Sequence, residues 1–570
     1  MPDWKESGFL GDDPWQALRQ LQFALQEHVL PFLADWWNSL APVPTEEEVG
    51  SLRRAILDRA GRAGLSPAYA KIPELLCALA ASMRFNRRNY VNVHPSPFVP
   101  SALASFVVAL QNPNNIVQEV SKPTTALERD CVDWVAANLF GIRETGTWGN
   151  VVSGGTIANM TALLVARDYT YDKLSRPRPG RVGPRGVIGL RPGVVLGTAG
   201  THYSVEKALW FLGIGHENLV RVPVCWDEAM RIKNYKEQRF IAGIQRDPWK
   251  ELLAVAIEND GKLGEEELKR FYAGEQCPFG LQPLNSEILK TLYSCFEFGV
   301  PLIACVLTLG TTDTGTVERV DSFAIDELRK EDIFIHVDAA SGGFAFVSEV
   351  VRDKMNKLGD MDSFTVDPHK MGFLHYPCGV VLFRSDGFRQ QIYHEAPYLG
   401  PLAPTLEGSR PGTSAAALWL AKETIGVNGY QAAVGHILQF TKDLVGSFAA
   451  SEKFQVLHKV DLNAVAVAPI PLPGETRLEV NELVRRVRER VVAHGEFMIN
   501  LDRHLSGVKV ANAQQSLSDD VRDLVDIEAL RIVVTNPLVA FNDAERLVKI
   551  LIESLDEERH VRGLKSGTRG

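Results

Sequence analysis

An α/β fold, with a largely parallel sheet covered by helices on both faces, is predicted by three features of the sequence. From about residue 120 onward short apolar runs alternate with amphipathic ones, the pattern of strand and crossover helix. Small, hydroxylated and charged residues follow several of the apolar runs, where an open α/β sheet presents side chains to a ligand. The 570 residues suffice for more than one domain and a large core, and 45% hydrophobic with 23% charged residues is ordinary for a globular chain.

Taken in order, residues 1–120 read as an N-terminal helical segment, from the apolar spacing in Trp15–Leu25 and again in Leu52–Leu57. The three prolines of Val91–Pro100 forbid regular structure and predict an ordered or functional loop, and Gln111–Asn115 is a turn cluster. Thr124 or Thr125 is expected to cap a helix that runs to Phe140 and stops at Gly141. A large domain then covers 121–400, with candidate strands at Gly193–Leu196, Leu219–Val224, Leu302–Thr308, Phe334–Asp338, Phe364–Val366 and Gly379–Phe383. A smaller α+β domain is expected over 401–570, with a helix across Glu482–Val492, a strand at Leu530–Thr535 and a disordered charged tail after Asp556.

Charge and cysteine content narrow the function. A net charge of −9 supplies no basic field for nucleic acid or an anionic membrane, so the expected partner is a small molecule. Seven scattered cysteines without a CxxC pair suit reduced thiols rather than a disulfide framework or a metal site, and no metal is expected. The N-terminal residues do not read as a signal peptide, and no run reaches the ~18 apolar residues of a membrane span. The expected location is the cytoplasm.

Five motifs carry chemistry. Asn150–Asn159 contains Gly154, Gly155 and Thr156 before a helix, whose free amides and dipole suit a phosphate; a plain helix cap is the alternative. His202 lies at a strand-to-helix junction, where an imidazole stacks on a planar ring or merely caps the helix. Thr311 and Thr312 follow a strand as ligands or turn formers. Asp338 ends an apolar strand before Ala340, and an acid there asks for a cation such as a protonated pyridine nitrogen. Lys370 follows His369 at the end of a short strand and suits Schiff-base chemistry. A phosphate cradle, a stacking histidine, an aspartate and a lysine in this order match the needs of pyridoxal 5'-phosphate.

On these residues, on Asn114–Glu119 and on Leu406–Gly412, the chain resembles the group II pyridoxal-phosphate-dependent amino acid decarboxylases, within them the bacterial L-tyrosine decarboxylases. The resemblance is good over roughly 90–420. It implies the fold type I of aspartate aminotransferase, a mostly parallel seven-stranded sheet with a smaller C-terminal domain, and a homodimer with shared active sites. It implies that Lys370 binds the cofactor as a Schiff base, His202 stacks on the ring, Asp338 pairs with the pyridine nitrogen and Ala340 packs under it. Gly155, Thr156 and Thr312 would hold the phosphate, Asp367 would act on the phosphate side or order the backbone, and His369 would neighbour the Schiff base. His94 and Thr535 are the substrate-side candidates.

The resemblance further implies a tyrosine on a loop as the acid that reprotonates the α-carbon, a position where phenylalanine would favour an aldehyde product. Between Gln391 and Arg410, Tyr398 is favoured for its flanking proline and glycine over Tyr393 and His394, and Arg410 would fix the loop or a neighbouring subunit's phosphate. The expected reaction is decarboxylation of an aromatic L-amino acid. Glutamate or aspartate as substrate, and a carbon–carbon lyase of the sphingosine-phosphate type, are the alternatives.

Overall fold

The structure, a computed structural model, describes residues 14–62, 65–66, 69–143, 145–174, 192–198, 200–222, 283–320, 322–355, 357–392, 404–502 and 528–562. Helices α1 (Pro14–Ala24), α2 (Leu30–Trp37), α3 (Glu46–Arg62) and α4 (Ile72–Leu79) open the chain. Phe32, Leu52, Ile56 and Leu76 form a small core among them. Glu46, Glu47 and Glu48 start α3 and Arg59 and Arg62 end it, so its charges oppose the helix dipole favourably at both ends. Helices α5 (Val99–Gln111) and α6 (Lys122–Leu139) follow. Thr124 and Thr125 lie inside the first turn of α6 rather than capping it. Ser121 is the residue before the helix, and Pro123, which lacks an N–H, fits a first turn whose amides have no intrahelical acceptor.

The main sheet contains seven strands in the order β1-β7-β6-β5-β4-β2-β3. They are β1 (Trp148–Val152), β2 (Val194–Thr198), β3 (Leu219–Val222), β4 (Leu302–Thr308), β5 (Phe334–Ala339), β6 (Ser363–Val366) and β7 (Gly379–Phe383). Strands β2 to β6 pair parallel, and β7 runs antiparallel between β6 and β1. Helices α7 (Gly155–Leu174), α8 (Tyr203–Phe211), α9 (Pro283–Glu297) and α10 (Ser322–Lys330) cover it. Both faces are apolar and alternate residue by residue along β7: Val380 and Leu382 join the core that includes α6, α9 and α10, while Val381 and Phe383 join the core of α7 and α8. Phe383 also stacks on Trp148 of β1, with centroids 4.3 Å apart.

A helical run α11 (Thr413–Ser451), broken at Gly426 where φ is 64°, leads to the second sheet. That sheet is antiparallel, in the order β10-β11-β9-β8, from β8 (Phe454–Val456), β9 (Ala464–Pro469), β10 (Asn500–Asp502) and β11 (Ala529–Val533). Helix α12 (Arg477–His494) packs on it, and α13 (Phe541–Val561) packs on α12 and α11. The expected disorder after Asp556 is corrected: α13 continues to Val561 because Arg559 is buried against Glu475 and Glu558 pairs with Arg490. Among the described residues no helix is long and apolar enough to cross a membrane.

Candidate active site

The C-terminal ends of the parallel strands converge on one cavity of about 410 Å³. β2 leads to His202, β4 to Thr308 and Thr312, β5 to Asp338, Ala340 and Ser341, and β6 to Asp367, His369 and Lys370, and all of these line it. The turn after β1 adds Gly154, Gly155 and Thr156. At the start of α7 the amides of Ile157 and Ala158 bond back to Gly154 O, so those of Gly155 and Thr156 lie ahead of the helical ladder. Gly155 is required by close approach, since a Cβ there would lie 2.8 Å from Asp367 Oδ2.

Lys370 Nζ lies 3.1 Å from Asp367 Oδ2 and donates to Ser341 Oγ at 3.3 Å. The other oxygen of Asp367, Oδ1, is buried without a partner among the described residues. Asp338 is held as an acceptor on both sides, by Ala340 N to Oδ1 at 3.1 Å and by Asn159 Nδ2 to Oδ2 at 2.9 Å. His202 is the N-cap of α8 and lies with Nδ1 2.8 Å from Ser204 Oγ. Burial pushes the His202 proton affinity down, with Asp338 pulling it up and Lys370 adding to the depression. His369 is likewise lowered by burial, against Asp367; its Nδ1 is 2.5 Å from Cys378 O. Burial thus favours the neutral form of both rings.

The family model of the pyridoxal-dependent decarboxylase conserved domain matches residues 282–468, a span that carries Thr312, Asp338, Ala340, Asp367, His369 and Lys370. The chain belongs to the pyridoxal-dependent decarboxylases. It is similar to the L-2,4-diaminobutyrate decarboxylase of Acinetobacter baumannii, 22% identical over 93% of this chain and 94% of that one. It is also similar to the L-tyrosine decarboxylase of Enterococcus faecium, 25% identical over 61% of each. The fold superposes on Oryza sativa TDC, solved with PLP and tryptamine, with a TM-score of 0.70 at 16% identity, covering 96% of this chain and 98% of that one. The enzyme is therefore a carboxy-lyase that acts on amino acids with pyridoxal phosphate as cofactor. Its lining fits that group: an amine at Lys370, a carboxylate with its lone pairs directed by two donors at Asp338, and a helix start left open by Gly155.

The structure brings Gly155, Thr156, His202, Thr312, Asp338, Ala340, Asp367, His369 and Lys370 of the decarboxylase into one lining. Thr311 turns out to build the turn, its Oγ1 2.9 Å from Thr314 Oγ1 and accepting from Thr316 N, which leaves Thr312 at the cavity. Thr535 does not line the cavity; it is buried and donates to Asn92 O at 3.3 Å. His94 stands one layer back, 3.4 Å from the hydroxyl of Tyr376. Tyr393, His394 and Tyr398 lie outside the described residues. Arg410 is buried, paired with Glu128 and donating to Val151 O and Asn115 O, so it anchors the chain ahead of α11 instead of reaching a phosphate.

Tyr376 was not among the residues singled out from sequence. It lines the cavity six residues beyond Lys370, its ring centroid 3.9 Å from that of His369. Its hydroxyl is pushed up to about 12, first by burial and then by Asp367. An aromatic next to a proline in the loop after the lysine was the available signal. Asn159, Ser204 and Ser341 were missed too, because small polar residues inside a helix or a turn carry no periodicity.

Proposed function

We propose that the enzyme decarboxylates an aromatic L-amino acid, tyrosine-like, to its amine and carbon dioxide. The observation that carries this reading is the cavity wall, which includes Tyr376, tilted at 34° against the ring of His369, together with Tyr203 and Val93, and in which Lys370 is the sole lysine or arginine among the described lining residues. A planar side chain gains stacking and apolar contact there. The second carboxylate of glutamate or aspartate would meet no second cation in this lining, and an unpaired buried charge is costly. A phosphorylated long-chain amine is disfavoured on the same ground.

In this reading Lys370 Nζ would attach the cofactor, Asp338 would pair with its pyridine nitrogen, and His202 and Ala340 would pack against its ring. The amides of Gly155 and Thr156, with Thr312, would hold the phosphate at the start of α7. Asp367 orients Lys370 and His369, while Thr535 and His94 shape the substrate side through Asn92 and Tyr376. When bound, pyridoxal phosphate supplies the aldehyde that captures the amino acid and the sink for the electron pair left by carbon dioxide. Tyr376 keeps its proton at neutral pH and holds it at the cavity, a second acid beside the Tyr398 implied by resemblance.

A homodimer with shared active sites is part of the proposal. Val99, Leu103, Phe106, Val107 and Leu110 form one stripe of α5 and are exposed in the single chain, a surface suited to a second copy.

The test is a panel of L-tyrosine, L-phenylalanine, L-tryptophan, 3,4-dihydroxyphenylalanine, L-glutamate, L-aspartate and L-2,4-diaminobutyrate, read by carbon dioxide release. An aromatic amino acid should exceed the others by at least ~100-fold in kcat/KM. Faster turnover of an acidic or basic amino acid would refute the aromatic reading. Tyr376→Phe should lower kcat by about 100-fold if this hydroxyl delivers the proton; an unchanged kcat with a fall in Tyr398→Phe returns the role to Tyr398.

A further inference from the structure

Asn159, one turn into α7, is 1% exposed, and its carboxamide meets three polar partners, two from β5 and one from α8. Nδ2 lies 2.9 Å from Asp338 Oδ2 and 2.9 Å from Ser204 Oγ, and Oδ1 lies 3.0 Å from His336 Nε2. The orientation of the amide follows from Asp338, because a carboxylate only accepts and must face the nitrogen. The oxygen then faces His336, which must donate from Nε2. His336 Nδ1, 2.8 Å from Ser363 Oγ, is left to accept that hydroxyl. Thr365 Oγ1, at 3.5 Å from the same Nε2, is the more distant partner.

The second N–H of Asn159 has a consequence on the other side of the cavity. Ser204 Oγ receives it, so the hydrogen of that hydroxyl is free to go to His202 Nδ1 at 2.8 Å. The same Nδ1 also accepts Ser204 N–H at 3.3 Å. A ring nitrogen that accepts two donors carries no proton, and a neutral imidazole then carries it on the other nitrogen.

We propose that Asn159 is a positioning residue that sets two cofactor-facing groups at once: it fixes the carboxylate plane of Asp338 and, through Ser204, makes His202 the tautomer protonated at Nε2. The inference rests on the reading above that Asp338 and His202 face the cofactor. It adds that the acid and the stacking histidine are not independent, since one carboxamide donates toward both. Every hydrogen on the carboxamide is used, which explains why an amide rather than a carboxylate or hydroxyl stands here.

Imidazole nitrogen NMR of the cofactor-free protein, labelled with ¹⁵N-histidine, tests this directly; the His202 signals are assigned by their loss in His202→Gln. The expected result is an unprotonated Nδ1 and a protonated Nε2 in the wild-type chain. Asn159→Ala should convert this to a mixture of tautomers and weaken pyridoxal phosphate binding, read by equilibrium dialysis, by about 10-fold. Ser204→Ala cuts only the His202 arm and serves if Asn159→Ala does not fold; it should disturb the tautomer and leave the larger part of cofactor affinity. A His202 proton on Nδ1 in the wild type, or a tautomer indifferent to both substitutions, overturns the proposal. A tautomer that shifts as expected while cofactor affinity stays constant supports the hydrogen-bond assignment and overturns instead the placement of these two residues against the cofactor.

Discussion

His336 is fully buried in the middle of β5, between Ser363 Oγ and Asn159 Oδ1. Burial pushes its proton affinity from 6.5 down to about 4, more than Asp338 pulls it up. A depressed folded-state value means that the unfolded chain binds a proton the folded chain refuses. The stabilising contribution is therefore complete above about 6.5 and is lost as the pH falls toward about 4, by about 1.4 kcal/mol per pH unit. His336→Gln should flatten the pH dependence of stability by one proton in that window, measured by urea unfolding of wild type and variant. Equal slopes would show that the ring is protonated in the folded chain. The residues beside it divide cleanly by legibility. Lys370, His369 and Asp338 were readable because each lies at the end of an apolar strand; Asn159 and Tyr376 were not, because their hydrogen-bond partners come from positions 45 to 282 residues away.

Among the elements, α5 shows how far periodicity reads and where it stops. Its outward stripe, Val99, Leu103, Phe106, Val107 and Leu110, has the spacing of a helix face, yet the helix lies on α11 with other residues and leaves this face uncovered in the single chain. Ser105, on another side of α5, donates to Thr413 O at the start of α11. Leu103→Glu with Val107→Glu should shift the enzyme to a monomer by light scattering and abolish most activity, while the melting temperature of the monomer stays cooperative. A dimer that survives both charges would place the interface elsewhere. The strands were legible for a related reason: β4 and β7 are continuous apolar runs buried on both faces, and their sequence bounds match the structure. β1 escaped because Trp148-Gly149-Asn150 breaks the apolar run.

At the scale of the whole molecule, Arg531 of β11 ties the small domain to the cavity. It is buried and donates to the carbonyls of Thr312, Asp313 at 3.1 Å and Val91 at 3.4 Å, so one guanidinium holds both the loop after β4 and the segment leading to Val93. Asp461 adds a second tie, accepting from Val317 N at 3.2 Å and pairing with Arg319 and with Lys354 at 3.3 Å. Arg531→Met should cost about 2–4 kcal/mol, since it strands buried carbonyls, and should weaken pyridoxal phosphate binding through Thr312. Thermal melts and cofactor titration check it; a loss of stability with unchanged cofactor affinity would confine Arg531 to the domain contact. The sequence by itself determined the alternation of strand and helix, the placing of Asp338 and Lys370 at strand ends and, through the family resemblance, the cofactor, because these depend on local pattern and on the fixed place where parallel strands end. Only the tertiary structure decided that Thr312 and not Thr311 reaches the cavity, that Thr535 bonds Asn92 instead of lining that cavity, that Arg410 is an anchor and that Tyr376 is part of the wall. Those outcomes depend on which hydrogen-bond partners the fold brings within 3 to 3.5 Å, and donors and acceptors far apart in the chain leave no trace in its periodicity.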